Sequence, residues 1–342
     1  MSLLAFARSL QDAPAPDFVV RTAIAGFVAD SRKKAAPGSP EADAAFAREM
    51  SARAIAEHTD AANRQHYELP AEFFRICLGP RLKYSSCLYP TGAETLAEAE
   101  EAALAETCVH ADLANGQDVL EMGCGWGSLS LWMAERYPGS RITAVSNSNG
   151  QREYIQSQAA ARGFTNLTVI TADMNDFQAA PGAFDRIVSV EMFEHMANWR
   201  ALLEKARRWI RPDGRMFLHV FTTRSAPYRF EVSDESDFIA QHFFTGGIMP
   251  SQGLAAQYPD LFEVEKEWRW SGRHYARTAR HWLANMDANK PRVAELMRQT
   301  YGDDAALWTR RWRRFYLATE GLFADSDGAE WGVGHYRLKP QP

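Results

Sequence analysis

Three glycines at alternate positions, Gly123, Gly125 and Gly127, follow the apolar run Val119-Leu120-Glu121-Met122 and precede Ser128-Leu129-Ser130-Leu131-Trp132-Met133-Ala134, which reads as helix. A strand, a glycine turn and a helix open a nucleotide-binding αβ unit. Glycine permits positive φ and lets the backbone come close to a ligand. The helix N-terminus beyond it offers free N–H groups to an anion. The spacing is G-x-G-x-G, not the G-x-G-x-x-G of dinucleotide sites, and an acid, Glu121, stands two residues ahead of the first glycine. That variant suits S-adenosylmethionine better than NAD, with Glu121 placed for the ammonium of its methionine part.

The rest of the chain supports an elaborated α/β unit. Strands are expected at 118–122, 141–145, 167–171, 185–190 and 215–221, alternating with helices at 128–136, 150–162 and 199–209. This rhythm predicts a parallel doubly wound sheet with ligands at the carboxyl ends of its strands. The second strand ends Ala144-Val145-Ser146-Asn147-Ser148, with no acid for a ribose, so Asn147 and Gln151 are left to contact it. Asp173 and Met174 follow the third strand, where the acid can accept from an adenine amino group and Met174 can pack on the ring. Beyond the sheet rhythm, residues 223–262 form an insertion over the site. Alternation at 261–270 and 330–338 predicts two further strands, flanking two helices within 278–323. The N-terminal 110 residues read as a helical cap or oligomer contact. Two short helices are expected in 1–36 and another across 41–60, and residues 111–342 make the core. A homodimer is compatible with that N-terminal segment.

Composition narrows the partners. A net charge of -5 argues against nucleic acid. No apolar run approaches a membrane span and no basic amphipathic face appears, so no membrane association is expected. Four cysteines, Cys77, Cys87, Cys108 and Cys124, lack C-x-x-C spacing and fit a reducing, cytoplasmic setting.

The fourth strand delivers Glu191-Met192-Phe193-Glu194-His195. If a helical turn begins there, Glu191, Glu194 and His195 share a face and can hold a cation and accept its proton, a buried glutamate having its pKa raised. A metal is the rival reading of E-x-x-E-H, but no further ligand set stands at metal spacing, so no metal is expected. An aromatic, hydroxyl-rich loop, Tyr84-Ser85-Ser86, reads as a packed linker or as a lid supplying hydroxyls to a carboxylate.

Together these segments resemble the coclaurine N-methyltransferase and cyclopropane-fatty-acyl-phospholipid synthase family of S-adenosylmethionine-dependent enzymes. The likeness runs from about residue 66 to 338. It rests on Tyr84-Ser85, Glu121 to Gly127, Asn147 to Gln151, Glu191 to His195, His242 to Gly247, His274-Tyr275-Ala276 and Thr300-Tyr301-Gly302. It implies a Rossmann-like seven-stranded methyltransferase sheet. It also implies a cofactor site of Tyr84, Ser85, Glu121, Gly123, Gly125, Gly127, Asn147, Gln151, Asp173 and Met174. E-M-F-E-H and F-F-T-G-G-x-M-P-S look like the amine branch; the synthases more often carry Gly where Glu191 stands. The expected reaction is N-methylation of a small, alkaloid-like amine by in-line displacement. Glu194 and His195 would act on the proton and Glu191 would orient the amine, within aromatic walls from Tyr84, Phe243, Phe244, Trp270 and Tyr275. The alternative is lipid alkene methylation or cyclopropanation with a bound bicarbonate, which the resemblance assigns to Cys124, Glu194, His219 and Tyr275. A cofactor-binding protein without catalysis is the third reading.

Overall fold

A computed structural model of the chain describes residues 12–57, 69–230 and 238–342. One helix, α1 (Asp17–Lys34), follows Pro14 and Pro16 and runs unbroken, since no proline interrupts it. It is one of the two helices expected in 1–36, longer than expected; the rest of that expectation falls on residues 1–11, outside the described residues. In α2 (Pro40–Met50), Ser39 caps the start by accepting from the Ala42 N–H, and Pro40 fills the first position. The helix stops ten residues short of the expected end. There the Asn198 amide donates to the carbonyls of Ser51 and Arg53, and Ala56 bridges to Met196, drawing the chain toward the sheet. After α3 (Ala71–Cys77), α4 (Leu96–His110) begins at a capping box between Thr95 and Glu98.

The alternating core follows the expected register closely. It comprises β1 (Asp118–Met122), α5 (Ser128–Arg136), β2 (Arg141–Ser146), α6 (Asn149–Ala161), β3 (Leu167–Thr171), β4 (Phe184–Val190), α7 (Trp199–Trp209) and β5 (Ile210–Thr223). The segment after β5 holds β6 (Tyr228–Arg229), α8 (Phe238–His242) and β7 (Ile248–Met249) before β8 (Phe262–Ser271). Three helices then follow, α9 (Gly272–Ala288), α10 (Lys290–Tyr301) and α11 (Ala305–Ala324), and β9 (Trp331–Pro340) closes the chain. Two helices were expected here. Pro291 fits only the start of a helix and so opens α10, while Gly302, at φ +53°, ends it.

The sheet order is β3-β2-β1-β4-β5-β9-β8. The five strands of the alternating core are parallel, as its rhythm predicts, and β9, whose direction that rhythm does not address, runs antiparallel to both β5 and β8. The winding reverses between β1 and β4, which opens a crevice at their carboxyl ends. Glu121, the glycine turn and Glu191 stand at that crevice because they end β1 and β4.

Candidate active site

A chamber of about 1160 Å³ opens at the crevice. One half of it is built by the turns after β1, β2 and β3. Gly125, at φ +50°, lies on the chamber wall, and a Cβ there would meet no atom within 4 Å, so the backbone is bared to whatever enters. Gly127 differs: it lies outside the chamber and caps α5 in the left-handed region. A Cβ on it would come within 2.6 Å of Ile155, so packing, not ligand contact, requires glycine there. Glu121 and Gly123 line the chamber. The Glu121 carboxyl is almost fully buried, accepts from the Ser130 hydroxyl, and is pushed up to about 8 by its burial.

At the end of β2, the Ser146 hydroxyl donates to Gln151 Oε1 at 2.6 Å, which fixes the amide. That leaves Gln151 Nε2 as a buried donor with no partner, on a residue of the chamber wall. Buried amide donors are costly to leave unpaired, which makes this one available to a ligand. Asn147, Asp173 and Met174 also line the chamber. One Asp173 oxygen accepts from the Asn175 N–H at 2.7 Å, shaping the loop after β3. Behind that loop, buried Lys205 of α7 donates to the carbonyls of Met174, Asn175 and Phe177 at 2.9, 2.7 and 3.2 Å.

The other half centres on Glu191, which takes a left-handed φ of +47° as the chain leaves β4. A non-glycine residue there is strained, and only dense contacts hold it. The Ser86 N–H donates to Oε1 at 2.8 Å and the Tyr275 hydroxyl to Oε2 at 2.6 Å, while His219 Nε2 lies 3.1 Å from Oε1. Burial raises the Glu191 pKa; the charge of Lys83 and the bonds from Tyr275 and Ser86 oppose it. Because Glu191 precedes the 3₁₀ turn Phe193–His195, it does not share a helical face with Glu194 and His195. Glu191 and His195 line the chamber; Glu194 does not. Glu194 Oε1 accepts from the Phe221 N–H at 2.7 Å, and burial, with Glu191 nearby, holds this carboxyl well above its usual range. His219 also stands behind the wall, reaching the chamber only through Glu191.

Tyr84, Ser85 and Tyr275 line the chamber, with Phe244. Phe243 and Trp270 do not: Phe243 stacks on Phe315 at 4.6 Å, and Trp270 covers His335 at 4.3 Å. Sequence reasoning missed Lys83, whose buried ammonium donates to the Ser85 hydroxyl at 2.5 Å and the Ser86 carbonyl at 2.7 Å, setting the loop that holds Glu191. It also missed Lys205. A lone lysine in a hydroxyl-rich or helical stretch reads as solvated surface, and only its placement inside the fold says otherwise.

A seven-stranded sheet reversing at β1 and β4, a bared glycine turn and a buried acid facing one chamber define an S-adenosylmethionine-dependent methyltransferase. The sequence model of the mycolic acid cyclopropane synthetase family matches residues 55–326, and the chain belongs to that family. It is 35% identical over 290 residues to (S)-coclaurine N-methyltransferase of Thalictrum flavum subsp. glaucum, covering 83% of this chain and 80% of that one. It is 30% identical over 273 residues to cyclopropane-fatty-acyl-phospholipid synthase of Escherichia coli (strain K12), covering 79% and 66%. Among solved structures, coclaurine N-methyltransferase bound to N-methylheliamine and SAH superposes with a TM-score of 0.93 at 31% identity, covering 99% of this chain and 100% of that one.

Proposed function

We propose that this enzyme methylates the nitrogen of an alkaloid-like amine, with the glycine-turn half of the chamber holding the donor and Glu191 and His195 facing the amine. The observation that carries this reading is the Glu191 carboxylate, presented to the chamber by Ser86, Tyr275 and His219. A buried carboxylate on an otherwise mostly apolar wall suits an organic cation. Relatives named for coclaurine, pavine and tetrahydroprotoberberine, all amine methyltransferases by name, support the choice of acceptor.

S-adenosylmethionine supplies an electrophilic methyl group. The residues present fit it: Gly125 leaves room for close approach, Gln151 Nε2 lacks a partner, and Glu121 awaits an ammonium. Near neutrality an alkylamine is mostly protonated and has no lone pair to offer. Glu191, with its pKa raised by burial, binds that ammonium and takes its proton. Holding the freed nitrogen where the donor would present its methyl would itself supply a large part of the rate. His195 flanks the amine from the 3₁₀ turn, with its ring 4.4 Å from Phe244. Glu194, its carboxyl held well above the usual range by burial, ties that turn to β5. The helix α1 and the described residues of the segment 223–262 close the chamber as a cap, as their places on its wall support.

The bicarbonate chemistry fits less well. His219 and Tyr275, two of the groups the resemblance assigns to that anion, are engaged by Glu191, and Glu194 lies off the chamber. A competition assay tests the assignment. The protein is incubated with S-adenosylmethionine, a panel of tetrahydroisoquinoline amines and unsaturated phospholipid vesicles, and the products are read by mass spectrometry. One added methyl on an amine is expected; a methylene on the acyl chains alone would move the function to the lipid reaction.

A further inference from the structure

The His219 nitrogen that does not face Glu191 opens a longer path. His219 of β5 is the cross-strand partner of His335 of β9, and His219 Nδ1 lies 2.8 Å from His335 Nε2. His335 Nδ1 in turn lies 2.7 Å from Nδ1 of His110, the last residue of α4. His110 Nε2 reaches Glu106 Oε1 at 3.0 Å, and the Glu106 side chain is 42% exposed. Both nitrogens of all three rings are used, so an unbroken line of hydrogen bonds runs from a chamber carboxyl to the surface. The line is sheathed: Trp268 stacks on His110 at 3.8 Å, Trp270 covers His335, and Phe217 meets His335 edge-on at 5.0 Å. His219 and His335 are fully buried. Among the described residues, no group of three His, Cys, Asp or Glu is arranged to hold a metal ion.

We propose that His219, His335 and His110 form a proton relay that carries the proton taken up by Glu191 to Glu106 and the solvent. This rests on the amine reading above, because that reaction deposits one proton per turnover on a buried carboxyl. In one passage Glu191 Oε1 gives its proton to His219 Nε2 while His219 gives its Nδ1 proton to His335 Nε2. His335 gives its Nδ1 proton to His110 Nδ1, and His110 gives its Nε2 proton to Glu106, which releases it to water. Each ring gains one proton and loses one, so all three remain neutral and end in the opposite tautomer. Ring reorientation restores the first tautomers before the next passage. The surroundings favour neutral rings: burial lowers all three imidazole pKa values. Lys83 facing His219 and His335, and Arg337 facing His110, act in the same direction, while Glu106 opposes them at His110.

His110→Phe keeps a ring against Trp268 and removes the carrier; Glu106→Gln changes only a half-exposed acceptor. In the full-length enzyme with its amine, His110→Phe is expected to lower kcat about tenfold or more with unchanged affinity for S-adenosylmethionine. Its solvent deuterium isotope effect should rise. Glu106→Gln should make kcat depend on buffer concentration, since buffer then replaces the lost acceptor. A kcat for His110→Phe within about twofold of the parent and an unchanged isotope effect would overturn the relay, as would a loss matched by lost cofactor affinity. A parent enzyme without amine turnover would instead sink the amine reading. The relay keeps a test of its own, by ¹⁵N NMR of the histidine rings in the ligand-free protein. Glu191→Gln should shift the His110 tautomer signals three hydrogen bonds away, and unmoved signals would overturn the coupling.

Discussion

Glu121 is the buried acid through which cofactor binding is expected to depend on pH. Its carboxyl is pushed up to about 8 by burial, so in the ligand-free protein it holds a proton at neutrality. An ammonium placed beside it favours the carboxylate, so binding releases that proton. Affinity for S-adenosylmethionine should therefore fall by up to about tenfold per pH unit as pH drops below the free value, and level off above it. Calorimetry in buffers of different ionisation enthalpy reads both the proton release and the slope; Glu121→Gln should abolish them. At Gly125 the requirement is space. A valine there would project its branched Cβ from a left-handed backbone into the chamber, and the same calorimetry should detect no cofactor binding. Wild-type affinity in that variant would remove the glycine turn from the site.

Among the elements, the loop after β3 depends on a residue from another helix. Lys205 of α7 ties down three carbonyls beneath Asp173 and Met174. Lys205→Met keeps the length and leaves those acceptors unpaired, which should cost about 1–3 kcal/mol in denaturant unfolding and weaken cofactor binding, with the amine KM less affected. Equal affinity in the variant would mean the loop holds itself. This dependence also explains what the sequence could disclose. The β1 turn, α5, β3 and α7 were legible to the residue, because local periodicity, glycine spacing and an Asn198 cap decide them. The end of α2, the antiparallel direction of β9 and the backing of Glu191 were not, because partners far along the chain decide them: Asn198, β5 and Tyr275. Glu194 was read on the wall from its spacing to Glu191, yet the left-handed φ at Glu191 breaks the helical face on which that inference rested.

For the molecule as a whole, charge and shape bear on where the acceptor comes from. The chain carries a net charge of -5, and among the described residues no helix is long and apolar enough to cross a membrane. Exposed Phe18 and Phe27 sit on α1, but isolated apolar side chains against a net repulsion do not make an anchor. Sedimentation with anionic vesicles should leave the protein in the supernatant at low and moderate salt, and tight, salt-sensitive pelleting would point to a lipid acceptor.

The central claim is that Glu191 takes the proton of an amine whose nitrogen receives the methyl. The most direct measurement is the pH dependence of kcat/KM for amine methylation in Glu191→Gln against the parent. The parent should lose activity as pH falls through the raised Glu191 pKa, because protonation removes the base. The variant should keep its affinity for S-adenosylmethionine, lose about 10²–10⁴-fold in rate, and show no acid limb from this group. A variant that methylates the amine at the parent's rate with the same acid limb would contradict the account.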